Sequence, residues 1–168
     1  MKTISFKTFN IISAFGIALY LTLILSFTLT SCEKKDAATS TATLRTKEIV
    51  LNSANGYSVN GKAVIAENAD HSFNVNITLQ NTIKDTVMVM HFHNGSIASP
   101  GNISVPLTPI TGTGAAATGT TLNITSGANA AGISVNLTYD SIIKPSRYIN
   151  VHYSATQINT VIANGNIQ

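Results

Sequence analysis

Side-chain alternation governs this chain from Leu44 onward. In Ser72–Leu79, SFNVNITL, Phe73, Val75, Ile77 and Leu79 take every second position, with Ser, Asn and Thr between them. Successive side chains of an extended strand point to opposite faces. The pattern therefore makes one apolar and one polar face, and it excludes a helix, whose apolar period is 3.6. Gly132–Asp140, GISVNLTYD, repeats it with Ile133, Val135, Leu137 and Tyr139. Shorter runs occur at Glu48–Leu51, Lys62–Ala66, Thr86–His93, Asn102–Leu107, Thr121–Ile124, Arg147–Tyr153 and Ile158–Ala163, about nine in all. Turns such as NSANGYS, SPGN and SGANAAG separate them. Many short alternating strands at this spacing predict an all-β antiparallel sandwich, with no helical window.

The first residues are of another kind. Lys2 and Lys7 precede an apolar run, Ile11–Leu29, which ends in LTSC at Leu29–Cys32. The run is long enough for an uncleaved anchor helix. Small residues before a cysteine directly after such a run resemble the lipobox of bacterial lipoproteins. That resemblance implies a signal peptide over 1–31, cleavage before Cys32, and acylation (palmitate-type chains) of the Cys32 thiol and the new amino terminus. Several chains together anchor stably where one does not. Cys32 is the one cysteine, so the domain has no disulfide of its own and relies on its core.

Glu33–Thr43, EKKDAATSTAT, lacks large apolar residues and any period, which predicts a flexible tether over 32–43. The domain is then 44–168. The tether's charged start, Glu33–Asp36, resembles the export signal of surface lipoproteins of the Bacteroidota, and no Asp follows Cys32. The expected location is the outer membrane, facing the periplasm or the exterior. The formal charge of +3 owes two units to Lys2 and Lys7; eight basic and seven acidic residues remain without them. A surface so nearly neutral has no footprint for nucleic acid.

Two strands carry histidine. In MVMHFHNGSIASP, Met88–Pro100, His91 and His93 share a face with Val87 and Val89, opposite Met88, Met90 and Phe92. The second set is larger and wholly apolar, so it faces the core and the imidazoles point to the outer wall. In RYINVHYSA, Ile149, Val151 and Tyr153 form the apolar face, which turns His152 outward with Tyr148 and Asn150. If the two strands are neighbours, three imidazoles converge. Imidazole suits copper and zinc, and three ligands leave a coordination position open. The plainer reading has these histidines bonding loop carbonyls and pinning the turn at Asn94–Gly95. His71, after ENAD, reads as a solvated turn residue.

The same residues carry a family resemblance. MHFHNGSIASPGNISVPL and YINVHYSATQINTVIANGNI resemble the CHRD family, named for domains of chordin. His91, His93 and Gly95 match its His-x-His and glycine turn; Tyr148, Asn150 and His152 match its Tyr-x-Asn-x-His segment. The resemblance covers Leu44–Gln168 and implies an extracellular β-sandwich of the Ig-like or superoxide-dismutase-like Greek-key kind. Two features depart from the pattern: no Glu-Val-Pro-Pro-type segment stands near Asn52–Tyr57, and the close is NTVIANG, without acid or arginine. Copper–zinc superoxide dismutase itself uses six histidines and an aspartate, and this chain has four histidines.

Other chemistry is sparsely represented. No Gly-x-Ser-x-Gly elbow is present, and Gly112–Gly119, GTGAAATG, lacks the following helix that a phosphate loop needs. Glu48, Glu67, Asp70, Asp85 and Asp140 read as solvated turn carboxylates. Asp85-Thr86-Val87 and Asp140-Ser141-Ile142 resemble the O-glycosylation motif of Bacteroidota. The expectation is a lipid-anchored binding or structural module without enzyme activity, meeting a protein or glycan partner through its loops. Its alternative is a copper- or zinc-binding protein using His91, His93 and His152.

Overall fold

The computed structural model describes residues 44–168. The expected signal peptide, the tether and Cys32 lie outside them. The described elements are β1 Thr46–Ser53, β2 Asn60–Glu67, β3 Phe73–Gln80, β4 Val87–Ser96, β5 Ser99–Thr111, β6 Ala117–Ile124, β7 Ser126–Ala128, β8 Ser134–Asn136, a one-turn helix α1 at Tyr139–Ile142, β9 Arg147–His152 and β10 Val161–Asn166.

Eight strands hydrogen-bond in the order β5-β4-β9-β10-β1-β2-β3-β6, while β7 pairs only with β8. β1 belongs to both halves. Its residues Thr46–Leu51 pair with β2, whereas Asn52 and Ser53 pair with β10. The sheet thereby folds over into two antiparallel layers, β1-β2-β3-β6 and β5-β4-β9-β10. The chain leaves β3 for β4 and β5 in the second layer and returns as β6 beside β3, a Greek-key path. At the far rim, Thr108 N donates to Thr121 Oγ1 at 2.8 Å, and the Thr121 hydroxyl donates to Thr108 Oγ1 at 3.1 Å. The expected all-β sandwich is what the chain forms.

Between the layers lies one core. Phe73, Val75, Ile77 and Leu79 of β3 meet Met88, Met90 and Phe92 of β4 and Ile149 and Val151 of β9 in a single buried cluster. β3 alternates buried and less buried residues along its whole length, as its sequence requires.

Gly132–Asp140 departs from its pattern. Only Ser134–Asn136 is strand, and Ile133 is 62% exposed. Two local causes end the strand. β8 has as partner only the three residues of β7, from a stretch that reads as a turn. Further on, Thr138 caps α1: its hydroxyl accepts from Ser141 N at 3.3 Å, and Ser141 Oγ accepts from Thr138 N at 2.8 Å. Such side-chain bonds offer the backbone an alternative to the ladder. Leu137 and Tyr139 are buried all the same, Leu137 from the link before α1 and Tyr139 from its first turn.

Glu67 and Asp140 are ion-paired, unlike solvated turn carboxylates. Arg45 donates Nε and Nη2 to the two Glu67 oxygens at 2.7 and 2.8 Å, and Nη1 to Asp140 at 2.7 Å. Its guanidinium lies 4.8 Å from the Tyr139 ring centroid. His71, exposed and in a left-handed conformation (φ 65°), adds a 3.1 Å contact from Nδ1 to Glu67. The clamp ties the residue just before β1 to β2 and α1.

Two outcomes follow. Phe92→Ala should cost about 3–5 kcal/mol in denaturant unfolding, whereas Leu122→Ala, at a residue 63% exposed, should stay within about 0.5 kcal/mol. Arg45, and then His71, hold the Glu67 carboxyl down at about 2, below the ordinary 4.5. A depressed carboxylate stabilises fully above its unfolded value, and that contribution disappears as pH falls from 4.5 toward 2. The denaturant midpoint of the parent protein should therefore fall over that window, and Glu67→Gln should flatten the fall; parallel acid limbs would contradict the clamp.

Candidate metal centre

The register of two strands builds the site. β4 and β9 are antiparallel neighbours with Val89 opposite His152, His91 opposite Asn150 and His93 opposite Tyr148. Residues opposite one another share a face, so all three imidazoles stand on one side. Met90 opposite Val151 and Phe92 opposite Ile149 take the other side, in the core. The parity read from the sequence thus holds on both strands.

The rings meet. Centroids of His91 and His152 are 5.2 Å apart, those of His93 and His152 5.8 Å, and those of His91 and His93 5.9 Å. One ring nitrogen from each lies within 4.8 Å of those of the other two. His71 is not part of the group.

Outward does not mean exposed. His93 and His152 are only 8% and 3% exposed, and His91 is half-buried. The outer wall has its own cover, which the sequence pattern did not reveal. Irregularities in the β4–β5 ladder on both sides of His93 re-aim the chain there. They bring the Gly101 carbonyl to 3.1 Å from His93 Nδ1. Tyr148 stacks on the His93 ring at 4.9 Å, with 22° between planes. Gly95, at φ 92°, sits at the irregularity in β4 just before the hairpin turn at 97–98; a Cβ there would lie 2.4 Å from Ser99 O. On the other flank, Ile158 and Asn159, read as the start of a strand, sit in the loop before β10 and line a pocket with His152.

Hydrogen bonding separates the two readings of these histidines. A carbonyl only accepts, so Gly101 makes His93 Nδ1 the protonated nitrogen and leaves the lone pair on Nε2. That is how a metal-ligating histidine is usually oriented. His93 therefore does bond a backbone carbonyl, that of Gly101 in β5 rather than of a loop, and the other two bond none among the described residues. His93 Nε2, His91 Nδ1 and both nitrogens of His152 are buried without a hydrogen-bond partner among the described residues. Each such group costs about 1–3 kcal/mol when left unpaired.

Electrostatics keep the rings neutral. Burial first, and then the neighbouring His91 and His93, push His152 down to about 4. The backbone of Ile158 pulls the other way, although no contact to either ring nitrogen meets hydrogen-bond geometry. Burial and His93 lower His91; burial lowers His93 against the opposing Gly101 carbonyl. Neutral imidazole is the ligating form.

A tetrahedral ion bound at 2.0–2.1 Å sets its nitrogens about 3.4 Å apart. From separations of at most 4.8 Å, each nitrogen would move inward by no more than about 0.8 Å, a side-chain rotation. The donor set is three imidazoles with no acid. Glu67 and Asp140 belong to the Arg45 clamp. The Ser141 hydroxyl serves the helix cap, and that of Thr86 donates to Lys84 O at 3.3 Å.

If His152 is present for its lone pairs rather than for packing, the metal-free protein should lose nothing by His152→Leu. Its stability should be unchanged or raised by up to about 2 kcal/mol; a loss larger than that would assign His152 to the fold. Compared with known proteins, the chain matches no family model, no curated protein and no solved structure.

Proposed function

We propose that this chain is a lipid-anchored extracytoplasmic protein whose β-sandwich holds one copper or zinc ion on His91, His93 and His152. The observation that carries the reading is the convergence of buried imidazole nitrogens that bond to no described residue. A fold that buries such groups leaves unsatisfied lone pairs, and an ion removes that cost for one lone pair on each ring. Three neutral nitrogen donors without thiolate or carboxylate suit zinc and copper, with divalent copper the tighter binder. The bound ion would supply Lewis acidity at an open fourth position. In this reading the module expected from the sequence has a metal ion as its ligand.

The CHRD resemblance supports the same place in the fold. Its two motifs fall on β4–β5 and β9–β10, and β4 and β9 are the adjacent strands that carry the histidines. Cys32 and the tether would hold the domain at the outer membrane, on the periplasmic or external side.

Protein purified without a histidine tag and loaded with copper or zinc should hold one equivalent. Ion at one hundred times its dissociation constant should raise the unfolding free energy by about 2.7 kcal/mol. His93→Ala and His152→Ala should each abolish both effects. An unchanged melting temperature with added copper and zinc, or undiminished binding by His152→Ala, would remove the proposal.

A further inference from the structure

The site opens into a pocket of about 520 Å³ lined by His93 and His152. Two properties of its lining name what it would receive. Among the described residues it contains no charged side chain: the polar groups besides the two histidines are the Tyr148 ring and the carboxamides of Asn55, Asn150, Asn159 and Asn164. Its remaining wall is mainly aliphatic, with Ile97, Ile103, Ile158 and Val161. Ile97 and Ile103 are 38% and 40% exposed, apolar surface that an occupant would cover.

Asn150 and Asn164 are aligned with the histidines by register. Asn164 of β10 pairs with Asn150 of β9, which pairs with His91 of β4. Asn150, 9% exposed, lines the pocket; its carboxamide bonds to no described residue and, unlike the imidazole nitrogens, is not sealed from solvent, so it is open to an incoming ligand. An open carboxamide offers amide hydrogens to an oxygen ligand that enters the pocket. On the reading proposed above, a divalent ion on three neutral imidazoles carries two uncompensated positive charges in a pocket with no acid. An anionic ligand at the open position would supply compensating charge that the described lining does not.

We propose that this pocket admits a small carboxylate with an aliphatic body to the open coordination position of the metal. Asn150 and Asn164 donate amide hydrogens to its oxygens, and the isoleucines cover its chain. The inference rests on the three-histidine metal reading, and its test separates the two.

Cobalt(II) is bound in place of zinc, and its visible absorption is followed while acetate, propionate and butyrate are added, with butyramide as the neutral counterpart. Each carboxylate should shift the spectrum saturably, with affinity rising about threefold to fourfold per methylene, and butyramide should do nothing. Asn150→Leu should bind cobalt one to one and lose about tenfold in butyrate affinity; Asn164→Ala serves the same purpose should the first variant fail to fold. Failure to bind cobalt defeats the metal reading and this inference with it. Cobalt bound one to one with a spectrum indifferent to all three acids overturns only this inference. So does a flat affinity across the series, an equal response to butyramide, or full butyrate affinity in both asparagine variants.

Discussion

Everything in this molecule depends on the two-sidedness of an extended strand. β4 sends Met88, Met90 and Phe92 into the core and His91 and His93 away from it, and β9 does the same with Ile149 and Val151 against His152. The core side is a large apolar cluster, so a register slip by one residue would exchange phenylalanine for imidazole in its centre. Burial of one face thus fixes where the other points. The imidazoles are placed with the rigidity of the sheet rather than of a loop, which is what a metal-binding geometry requires.

The outer face then does something that packing alone does not ask of it. Polar residues on the outer wall of a sandwich ordinarily meet water. Here the Gly101 strand, Tyr148 and the Ile158 loop cover the rings and remove water without supplying partners for most of their nitrogens. A local conflict of this kind, in a chain whose other levels agree, is where function is to be sought. The Arg45 clamp makes the contrast: Arg45 meets Glu67 with a bidentate fork and also reaches Asp140.

Much of the fold was legible because its causes are local. The β3 alternation and the side-chain parity of β4 and β9 follow from pattern alone, and His91, His93 and His152 were identifiable as one set from that parity. Their convergence was conditional, since no local feature says that β4 and β9 are neighbours; the strand order of the whole sheet decides it. Burial of the rings was hidden for a similar reason, because the cover comes from Gly101 and Ile158, segments whose approach is tertiary. Gly132–Asp140 misleads in the opposite way. Its alternation is real, but Thr138 and Ser141 bond locally and curl the chain into α1. The Glu67–Arg45 pair spans 22 residues and carries no local signature.

The central claim is that three of the four imidazoles share one neutral, water-poor site. Long-range ¹H–¹⁵N correlation spectra of histidine-labelled protein, recorded before and after one equivalent of zinc, address it ring by ring. The expected result is a large shift in one nitrogen each of His91, His93 and His152, with His93 Nδ1 keeping its proton and His71 unmoved. Unchanged spectra, or a shift that includes His71 while sparing His152, would contradict the account.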